Sequence, residues 1–549
     1  MDKFIFLIIC VLLGTATAIS MYSQESKTPS VGEPILETVT NIAVADRVTP
    51  EIEGSFATSE TQIATLESGD FEYRAFVKNT RIEDRHDVFP PANIVSISYE
   101  ADAHQKDLKR PVMFLFNGGP GSSSIWLHMT GFGPKKISAD LLYPQDGEVP
   151  LEQEDNLGFL IDVADLVFVD PVGTGLSRVI SPSRETAFQD LRVDARAMCR
   201  FAQNWLQAEG RVGAPVYVVG VSYSTLRAAG MASHPMCKDF RKNLHGLIFV
   251  SGLLDMRMRH SRDTTGRISR YPTIAAIAWY RGLVDQSRWP GGRSAYLADI
   301  EQYSDTKLGP ALLNRHRLTP TETRAIINDV HTRLGMNPPG EQIRTIAAAL
   351  SNAQNRLDGE DLACSYDARF NCTGGLGPHP DLPLLAFGDE LEKELVSQIG
   401  DLTGYELQPD NYTVMRGNRF RANWDYRFHK SFESGAGTDM AHTLLRNITP
   451  EKPSPITADI GPQSQYTQRP VRNTRSGQST TRIMVASGLY DLATPYYAME
   501  LALLRAGLEP SQFEMHLYEG GHMMYLEKET GYQLAADIRS FVGATERLF

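Results

Sequence analysis

Short, nearly continuous apolar runs recur along the chain and are separated by longer amphipathic stretches. Such runs are typical of strands buried on both faces, as in a parallel sheet covered by helices. Apolar residues between Arg184 and Gln207 share one helical face, and Leu534, Ile538 and Phe541 repeat this pattern near the C-terminus. The alternation predicts an α/β fold with a central, mostly parallel sheet. The apolar runs are Val112–Phe116, Leu166–Val169, Val216–Val219, Leu247–Val250 and Ile483–Ala486.

Two segments depart from this alternation. Phe71–Lys78 and Ile94–Tyr99 have the pattern of strands in an opening antiparallel unit. Between residues 256 and 480 the alternation stops, and Thr319–Glu322 there forms a capping box with proline at the first helical position. We interpret 256–480 as a helical insertion, most simply a cap over a site on the sheet. An independent domain is the alternative, but it would leave the sheet without its last strands.

The N-terminal 65 residues divide into a signal-like segment and a polar leader. The apolar run Phe4–Leu13 ends in small residues up to Ala18, which predicts a secretory signal peptide over 1–18. Ten apolar residues are too few to span a bilayer, which needs about 20, although an uncleaved anchor is the alternative. Residues 19–65 are rich in Ser, Thr, Glu and Pro, as in a mobile leader. The folded core then comprises 66–255 and 481–549, on either side of the insertion.

Composition and charge exclude several classes of partner. The 549 residues include 54 Lys and Arg against 66 Asp and Glu, a net charge of −12. Without a dominant basic patch, a nucleic-acid partner has no electrostatic support, and an acidic chain gains little from an anionic membrane. No CxxC or HExxH motif occurs, so we expect no metal site and no cofactor. The expected destination is the periplasm or the medium, with no stable membrane association after signal cleavage.

Four cysteines remain once Cys10 leaves with the signal peptide. An even number in a chain bound for an oxidising compartment makes two disulfides plausible. Three pairings are possible, and the sequence does not choose among them. Cys364–Cys372 closes a short loop and is the first candidate, which leaves Cys199–Cys237 as its complement.

The sharpest local motif is G-x-S-x-S at Gly220–Ser224, which follows the apolar run Val216–Val219 and precedes a helical stretch. This arrangement is close to a nucleophile elbow, in which a strained strand-to-helix turn exposes the hydroxyl of Ser222. Gly220 supplies the small residue that the turn needs, whereas Ser224 stands where glycine is usual.

Serine becomes a nucleophile when a histidine accepts its proton and a carboxylate orients that histidine. In the elbow fold these partners follow the serine in the order acid, then histidine, on loops after later strands. Asp491 follows the run Ile483–Ala486, and His522 follows a strand in which Phe513, Met515 and Leu517 alternate. The alternative roles, a helix-capping aspartate and a surface histidine, explain neither the order nor the placement.

A glycine-rich loop, N-G-G-P-G-S-S-S at 117–124, follows the run Val112–Phe116. It lacks the Lys-Ser/Thr of a phosphate-binding Walker loop, so exposed amides for an oxyanion hole are the better explanation. The expected donors are the backbone N–H groups of Gly119 and Tyr223.

Together these motifs resemble the serine carboxypeptidase family, most closely its bacterial secreted branch, over about residues 70–545. The resemblance implies an α/β-hydrolase fold with a helical cap, and a triad of Ser222, Asp491 and His522. It also implies that Asn117 and Gly118 help to hold the C-terminal carboxylate of a substrate, and that Asp170 and Gly173–Gly175 are largely structural. The motifs that carry the resemblance are N-G-G-P-G-S-S-S, D-P-V-G-T-G-L-S at 170–177, the elbow, D-L-A-T-P at 491–495 and G-G-H-M-M-Y at 520–525.

The chain departs from that family at the carboxylate-binding device. Well-known members have a glutamate before the nucleophilic serine and a second one about ten residues past the glycine-rich loop. The two share one proton, which gives these enzymes their preference for acid pH. Here the first position is Val221 and the second lies in Thr130–Phe132, which contains no acid. We expect a weaker demand for a free C-terminus, no acid optimum from this cause, and possible strain at Ser224.

Three functions remain open on this evidence. The first is a secreted serine-type peptidase, carboxypeptidase-like, that cleaves peptide or protein substrates near the C-terminus through an acyl-enzyme. The second keeps the triad but acts on esters or transfers acyl groups. The third is a catalytically silent binding homologue.

Overall fold

The computed structural model describes residues within one compact unit, Arg47–Phe549. The described residues are 55–57, 61–101, 107–137, 153–259, 263–358, 365–370, 382–403, 412–416, 421, 423–427, 440–441, 443–444 and 481–546. The predicted signal peptide 1–18, most of the predicted leader, and Cys364 and Cys372 lie outside them.

The strands are β1 (Ser55–Ala57), β2 (Gln62–Leu66), β3 (Gly69–Ile82), β4 (Ala92–Ala101), β5 (Val112–Phe116), β6 (Lys135–Ile137), β7 (Gln153–Asp155), β8 (Asp165–Val169), β9 (Arg178–Val179), β10 (Val216–Val221), β11 (Leu244–Val250), β12 (Arg482–Gly488) and β13 (Glu514–Tyr518). The α-helices are α1 (Leu191–Ala208), α2 (Tyr223–Ser233), α3 (Lys238–Arg241), α4 (Thr264–Tyr280), α5 (Gly292–Tyr303), α6 (Gly309–Leu313), α7 (Pro320–Thr332), α8 (Ile346–Asp358), α9 (Leu382–Thr403), α10 (Tyr496–Ala506) and α11 (Lys528–Glu546).

The large sheet opens with antiparallel strands and continues with parallel ones. Its order is β1-β3-β4-β8-β5-β10-β11-β12-β13, with β2 paired to β3 and β9 to β4. Neighbouring strands in the run β8-β5-β10-β11-β12-β13 are all parallel. In contrast, β3 pairs with β4, and β4 with β8, in antiparallel orientation. The strands predicted from the apolar runs, and the opening antiparallel unit, are confirmed. The predicted end of the leader at residue 65 is wrong, because β1 and β2 already pair with β3.

The apolar runs are continuous because both faces of the sheet are covered. In β5, Val112, Phe114 and Phe116 pack into one core, and Met113 and Leu115 pack into the core on the opposite face. Adjacent residues of a strand point to opposite faces, so a strand between two cores needs apolar residues throughout.

The described part of 256–480 contains helices α4 to α9 and none of the strands named above. Helices α4, α5, α7 and α8 form a third core together with Leu489–Leu492 and the start of α10. The predicted capping box at Thr319–Glu322 is present at the start of α7. Helix α9 instead packs on the sheet near β3 through Leu391, Leu395 and Ile399. The insertion is therefore packed against the core at two places.

Among the described helices, none has both the length and the hydropathy needed to cross a bilayer. A disulfide joins Cys199 on α1 to Cys237, with 5.9 Å between their Cα atoms, so this pairing is confirmed. Both cysteines are buried beside helix α2, which follows Ser222.

We expect the double variant Cys199→Ala/Cys237→Ala to be less stable than the wild type. The disulfide closes a loop of 38 residues, and chain-entropy arguments give about 4 kcal/mol for a loop of this length. Urea unfolding at pH 7 would measure the loss. A reducing agent should lower the stability of the wild type but leave the variant unchanged, and equal midpoints for the two oxidised proteins would contradict the prediction.

Candidate active site

Ser222 occupies the sharp turn between β10 and α2. Its backbone has φ 56° and ψ −122°, a conformation that residues other than glycine rarely adopt. The side chain is half-buried, and the amide donates a hydrogen bond to the Val250 carbonyl at 2.9 Å. A side chain at Gly220 would clash with the Ser224 carbonyl, so this close approach requires glycine. The turn has the geometry that the elbow motif predicts.

Asp491 and His522 form a buried hydrogen-bonded pair. The distance from Asp491 Oδ2 to His522 Nδ1 is 2.7 Å. The other carboxylate oxygen accepts hydrogen bonds from the Ala493 and Thr494 amides at 2.8 and 2.9 Å. The Thr494 hydroxyl donates to Oδ2 at 2.6 Å. The carboxylate is thus held by three donors besides the imidazole, which fixes the ring nitrogen that faces it.

Parallel strand topology explains how residues far apart in sequence approach one another. Ser222 follows β10, Asp491 follows β12 and His522 follows β13, and these strands belong to the run β10-β11-β12-β13. The carboxyl ends of parallel strands meet at one edge of a sheet, where α/β enzymes bind their ligands. The Ser222 hydroxyl and His522 make no hydrogen bond to each other here. Catalytic contacts of this kind often form only once substrate binds.

The glycine-rich loop lies directly against Ser222. A Cβ atom on Gly118 would be 2.6 Å from Ser222 Cβ and 3.1 Å from Ser222 Oγ, so no side chain fits there. Gly119 has φ 105°, which favours glycine. Tyr223 is the first residue of α2, so its amide has no carbonyl partner within the helix. The two predicted oxyanion donors are therefore on segments that flank Ser222.

A buried polar network joins the elbow helix to the glycine-rich loop. The Ser224 hydroxyl donates to the Asn117 carbonyl and also contacts Arg227. Arg227 Nε donates to Asp194 Oδ2 at 2.8 Å, and the Tyr223 hydroxyl donates to the same oxygen at 2.9 Å. Burial raises the pKa of Asp194, and the charge of Arg227 opposes that rise. Ser224 is therefore a buried residue whose hydroxyl is hydrogen-bonded on both sides.

Asp170 holds the glycine-rich loop through hydrogen bonds to Ser124. Its Oδ1 accepts hydrogen bonds from the Ser124 amide and hydroxyl, both at 2.8 Å, and from the Tyr412 hydroxyl at 3.3 Å. A side chain at Gly175 would clash with the Asp170 carboxylate. These contacts are structural, in agreement with the role that the resemblance implies.

Sequence reasoning missed a contribution from the insertion to the glycine-rich loop. The Ser123 amide donates to the Val414 carbonyl at 2.9 Å, and the Arg416 amide donates to the Gly121 carbonyl at 2.8 Å. Arg416 is in turn paired with Glu185 at 3.0 Å. No local pattern around 412–416 indicates such a long-range contact.

No acidic side chain stands where the well-known serine carboxypeptidases have their carboxylate pair, at Val221 and around Thr130–Phe132. Val221 is buried in the core of one sheet face. Gly131 lies in the π-helix Leu127–Phe132, and a Cβ there would be 3.4 Å from the Tyr525 ring. The Tyr525 ring thus fills space beside this position. Among the described residues, no group of three or more His, Cys, Asp or Glu side chains is arranged to hold a metal.

Comparison with known proteins agrees with this geometry. Residues 98–311 match the family model described as serine carboxypeptidase, a segment that includes the glycine-rich loop, the D-x-x-G-T-G motif and the elbow. The resemblance to serine carboxypeptidases is confirmed. The match supports the assignment of the protein as a serine hydrolase. The protein has the α/β-hydrolase fold. No curated protein sequence matches the chain.

Solved structures resemble the chain at low identity. The prohormone-processing carboxypeptidase Kex1(delta)p from Saccharomyces cerevisiae is 13% identical with a TM-score of 0.47, covering 87% of this chain and 91% of its own. A monoglyceride lipase from the same yeast is 10% identical with a TM-score of 0.35, covering 85% and 94%. Homoserine O-acetyltransferase from Bacillus anthracis is 13% identical with a TM-score of 0.32, covering 88% and 98%.

Replacing Ser224 tests the buried network. We expect Ser224→Ala to lower the free energy of unfolding by about 1–3 kcal/mol, because the Asn117 carbonyl and Arg227 lose a buried partner. Urea unfolding at pH 7 would measure the change. Ser233→Ala is a matched control, since its hydroxyl on the same helix is buried without a hydrogen-bond partner. Equal stability of the two variants would contradict the role assigned to Ser224.

A buried histidine lies in the π-helix after the glycine-rich loop. His128 Nε2 is 2.5 Å from the Tyr99 hydroxyl, and the imidazole packs on Phe168 with ring centroids 4.7 Å apart. Burial lowers the pKa of His128 to about 3. The folded protein therefore keeps this ring neutral at pH values where the unfolded chain is protonated.

The low pKa of His128 predicts a loss of stability in acid. Between pH 6.5 and about 3 the unfolded chain binds one more proton at this residue, so stability falls as the pH falls. From pH 7.5 to pH 5 the expected loss is about 2 kcal/mol. His128→Gln should flatten the pH dependence of urea unfolding, whereas His86→Gln, at an exposed position, should leave it unchanged. An unchanged slope in His128→Gln would contradict the prediction.

Proposed function

We propose that the protein is a serine-type peptidase, carboxypeptidase-like, that hydrolyses peptide bonds near the C-terminus of peptide or protein substrates. The observation that carries the proposal is the Asp491–His522 pair at 2.7 Å, on the same sheet edge as an elbow serine with a left-handed backbone. In this proposal Ser222 is the nucleophile, His522 is the general base and then the general acid, and Asp491 orients His522.

The reaction would proceed in two steps. Ser222 Oγ attacks the scissile carbonyl while its proton passes to His522, and the developing oxyanion accepts hydrogen bonds from the Gly119 and Tyr223 amides. Collapse of the tetrahedral intermediate breaks the C–N bond, and His522 returns the proton to the leaving amine. Water then attacks the acyl-enzyme, again with His522 as base, and releases the acid product.

Substrate binding would differ from that of the well-known carboxypeptidases. Asn117 and Gly118 are the proposed contacts for the substrate's C-terminal end. Because Val221 stands at the first glutamate position and Thr130–Phe132, around the second, contains no acid, no carboxylic acid there needs to be protonated for an anionic C-terminus to bind. The same lack of acidic side chains favours a second candidate, an esterase or acyltransferase that uses the same triad on uncharged substrates.

We further propose export of the chain by the signal peptide 1–18 to the periplasm or the medium. The disulfide Cys199–Cys237 supports this proposal, because disulfides persist mainly in oxidising compartments.

Turnover of matched substrates tests the proposed specificity. We expect the kcat/KM values for an N-blocked dipeptide and for its C-terminal amide to lie within about tenfold of each other. This ratio corresponds to a difference of about 1.4 kcal/mol or less in activation free energy. The preference for the free acid should not increase between pH 7 and pH 5. Ser222→Ala is the control for background hydrolysis.

A strong preference for the free acid that grows in acid would contradict the altered specificity. Rapid turnover of a p-nitrophenyl ester, with none of either dipeptide, would favour the esterase candidate. No turnover of any substrate would favour the silent homologue.

A further inference from the structure

A short piece of the insertion lies between the loops that carry Asp491 and His522. We call residues 365–370 the bracing segment. The Leu492 amide donates to the Ser365 carbonyl at 2.9 Å, and the Ala368 amide donates to the Tyr490 carbonyl at 3.0 Å. On its other side, the His522 amide donates to the Tyr366 carbonyl at 2.5 Å. The backbone of the bracing segment is therefore bonded to both loops.

The contact with the histidine loop is too close for any side chain at Gly521. A Cβ atom there would clash with the Tyr366 carbonyl and with Asp367. Gly488, at the end of β12, packs in the same way against the carbonyls of Gly520 and Gly521. The histidine loop is thus enclosed between β12 and the bracing segment.

Tyr366 also contacts the imidazole of His522 directly. The two ring centroids are 4.4 Å apart with an interplanar angle of 34°. The Tyr366 side chain is half-buried. An aromatic face at this distance attracts a cation, so it favours the imidazolium that forms when His522 accepts a proton.

Arg369 ties the bracing segment to both loops through its side chain. It pairs with Asp367 at 2.6 Å within the segment and with Glu527, five residues after His522. Its guanidinium lies 5.2 Å from the ring centroid of Tyr490, which immediately precedes Asp491. Only 13% of the Arg369 side chain is exposed, so these interactions are weakly screened by solvent.

The location of His522 explains why such support is needed. His522 follows β13, which is the last strand in the sheet order and pairs with β12 alone. A loop after an edge strand lacks a neighbouring strand on its outer side. Among the described residues, the bracing segment supplies a contact to this loop from outside the sheet.

We propose that the bracing segment positions His522 against Asp491, with Arg369 and Tyr366 as positioning residues. The inference rests on the proposed function, because positioning is expressed in the rate of the triad. It assigns the insertion a part in the catalytic geometry.

Two pairs of variants test the proposal in the protein that comprises residues 19–549. Arg369→Met should lower kcat for the hydrolysed substrate about tenfold or more and change KM less than twofold, since small misplacements of a catalytic group cost this much. Arg333→Met is the control, because Arg333 also lies in the insertion, pairs with Asp299 and stacks on an aromatic ring. Tyr366→Ala should lower kcat, whereas Tyr366→Phe, which keeps the ring, should retain it.

Hydrogen–deuterium exchange of the peptide that contains Gly520–Tyr525 provides a readout that does not require activity. We expect faster exchange there in Arg369→Met and Tyr366→Ala, and no change in Arg333→Met or Tyr366→Phe. Unchanged exchange, or faster exchange with unchanged kcat, would overturn the positioning role. A wild type that turns over no substrate would overturn the proposed function, while the exchange data would still decide whether the segment braces the loop.

Discussion

The left-handed backbone of Ser222 is the constraint on which the rest of the site depends. Such a conformation costs about 1–3 kcal/mol and persists only where surrounding contacts hold it. Here the contacts come from several directions: the Val250 carbonyl on the next strand, the close approach of Gly220 to the helix, and Gly118 against the serine side chain. The buried Ser224–Arg227–Asp194 network then joins this turn to the loop that carries Asn117.

The insertion is hydrogen-bonded to the loops that carry the residues of the proposed site. Its main core includes residues of the loop that carries Asp491, which follows β12, whereas helix α9 packs near β3, toward the other end of the strand order. Two short segments bond to the site directly, 412–416 to the glycine-rich loop and the bracing segment to the loops of Asp491 and His522. These bonds connect the insertion directly to the groups that orient the proposed base and to the loop of the proposed oxyanion hole.

The sequence predicts much of this architecture because strong local signals determine it. A run such as Val112–Phe116 is apolar at every position since it lies between two cores, and the elbow combines a buried strand with small residues at a required turn. Asp491 and His522 could be predicted because both directly follow parallel strands, whose carboxyl ends must meet. The roles of Tyr366, Arg369 and Ser224 could not, because they arise from contacts between segments distant in sequence. The early strands β1 and β2 were missed because their short alternation lies in a segment of leader-like composition.

The most direct test of the central claim is reaction of the protein lacking residues 1–18 with a fluorophosphonate, followed by mass spectrometry of the modified peptide. We expect a single adduct on Ser222 that is lost in His522→Ala, since the serine is nucleophilic only with its base in place. A folded protein that forms no adduct, or an adduct on Ser222 that persists without His522, would contradict the proposed triad.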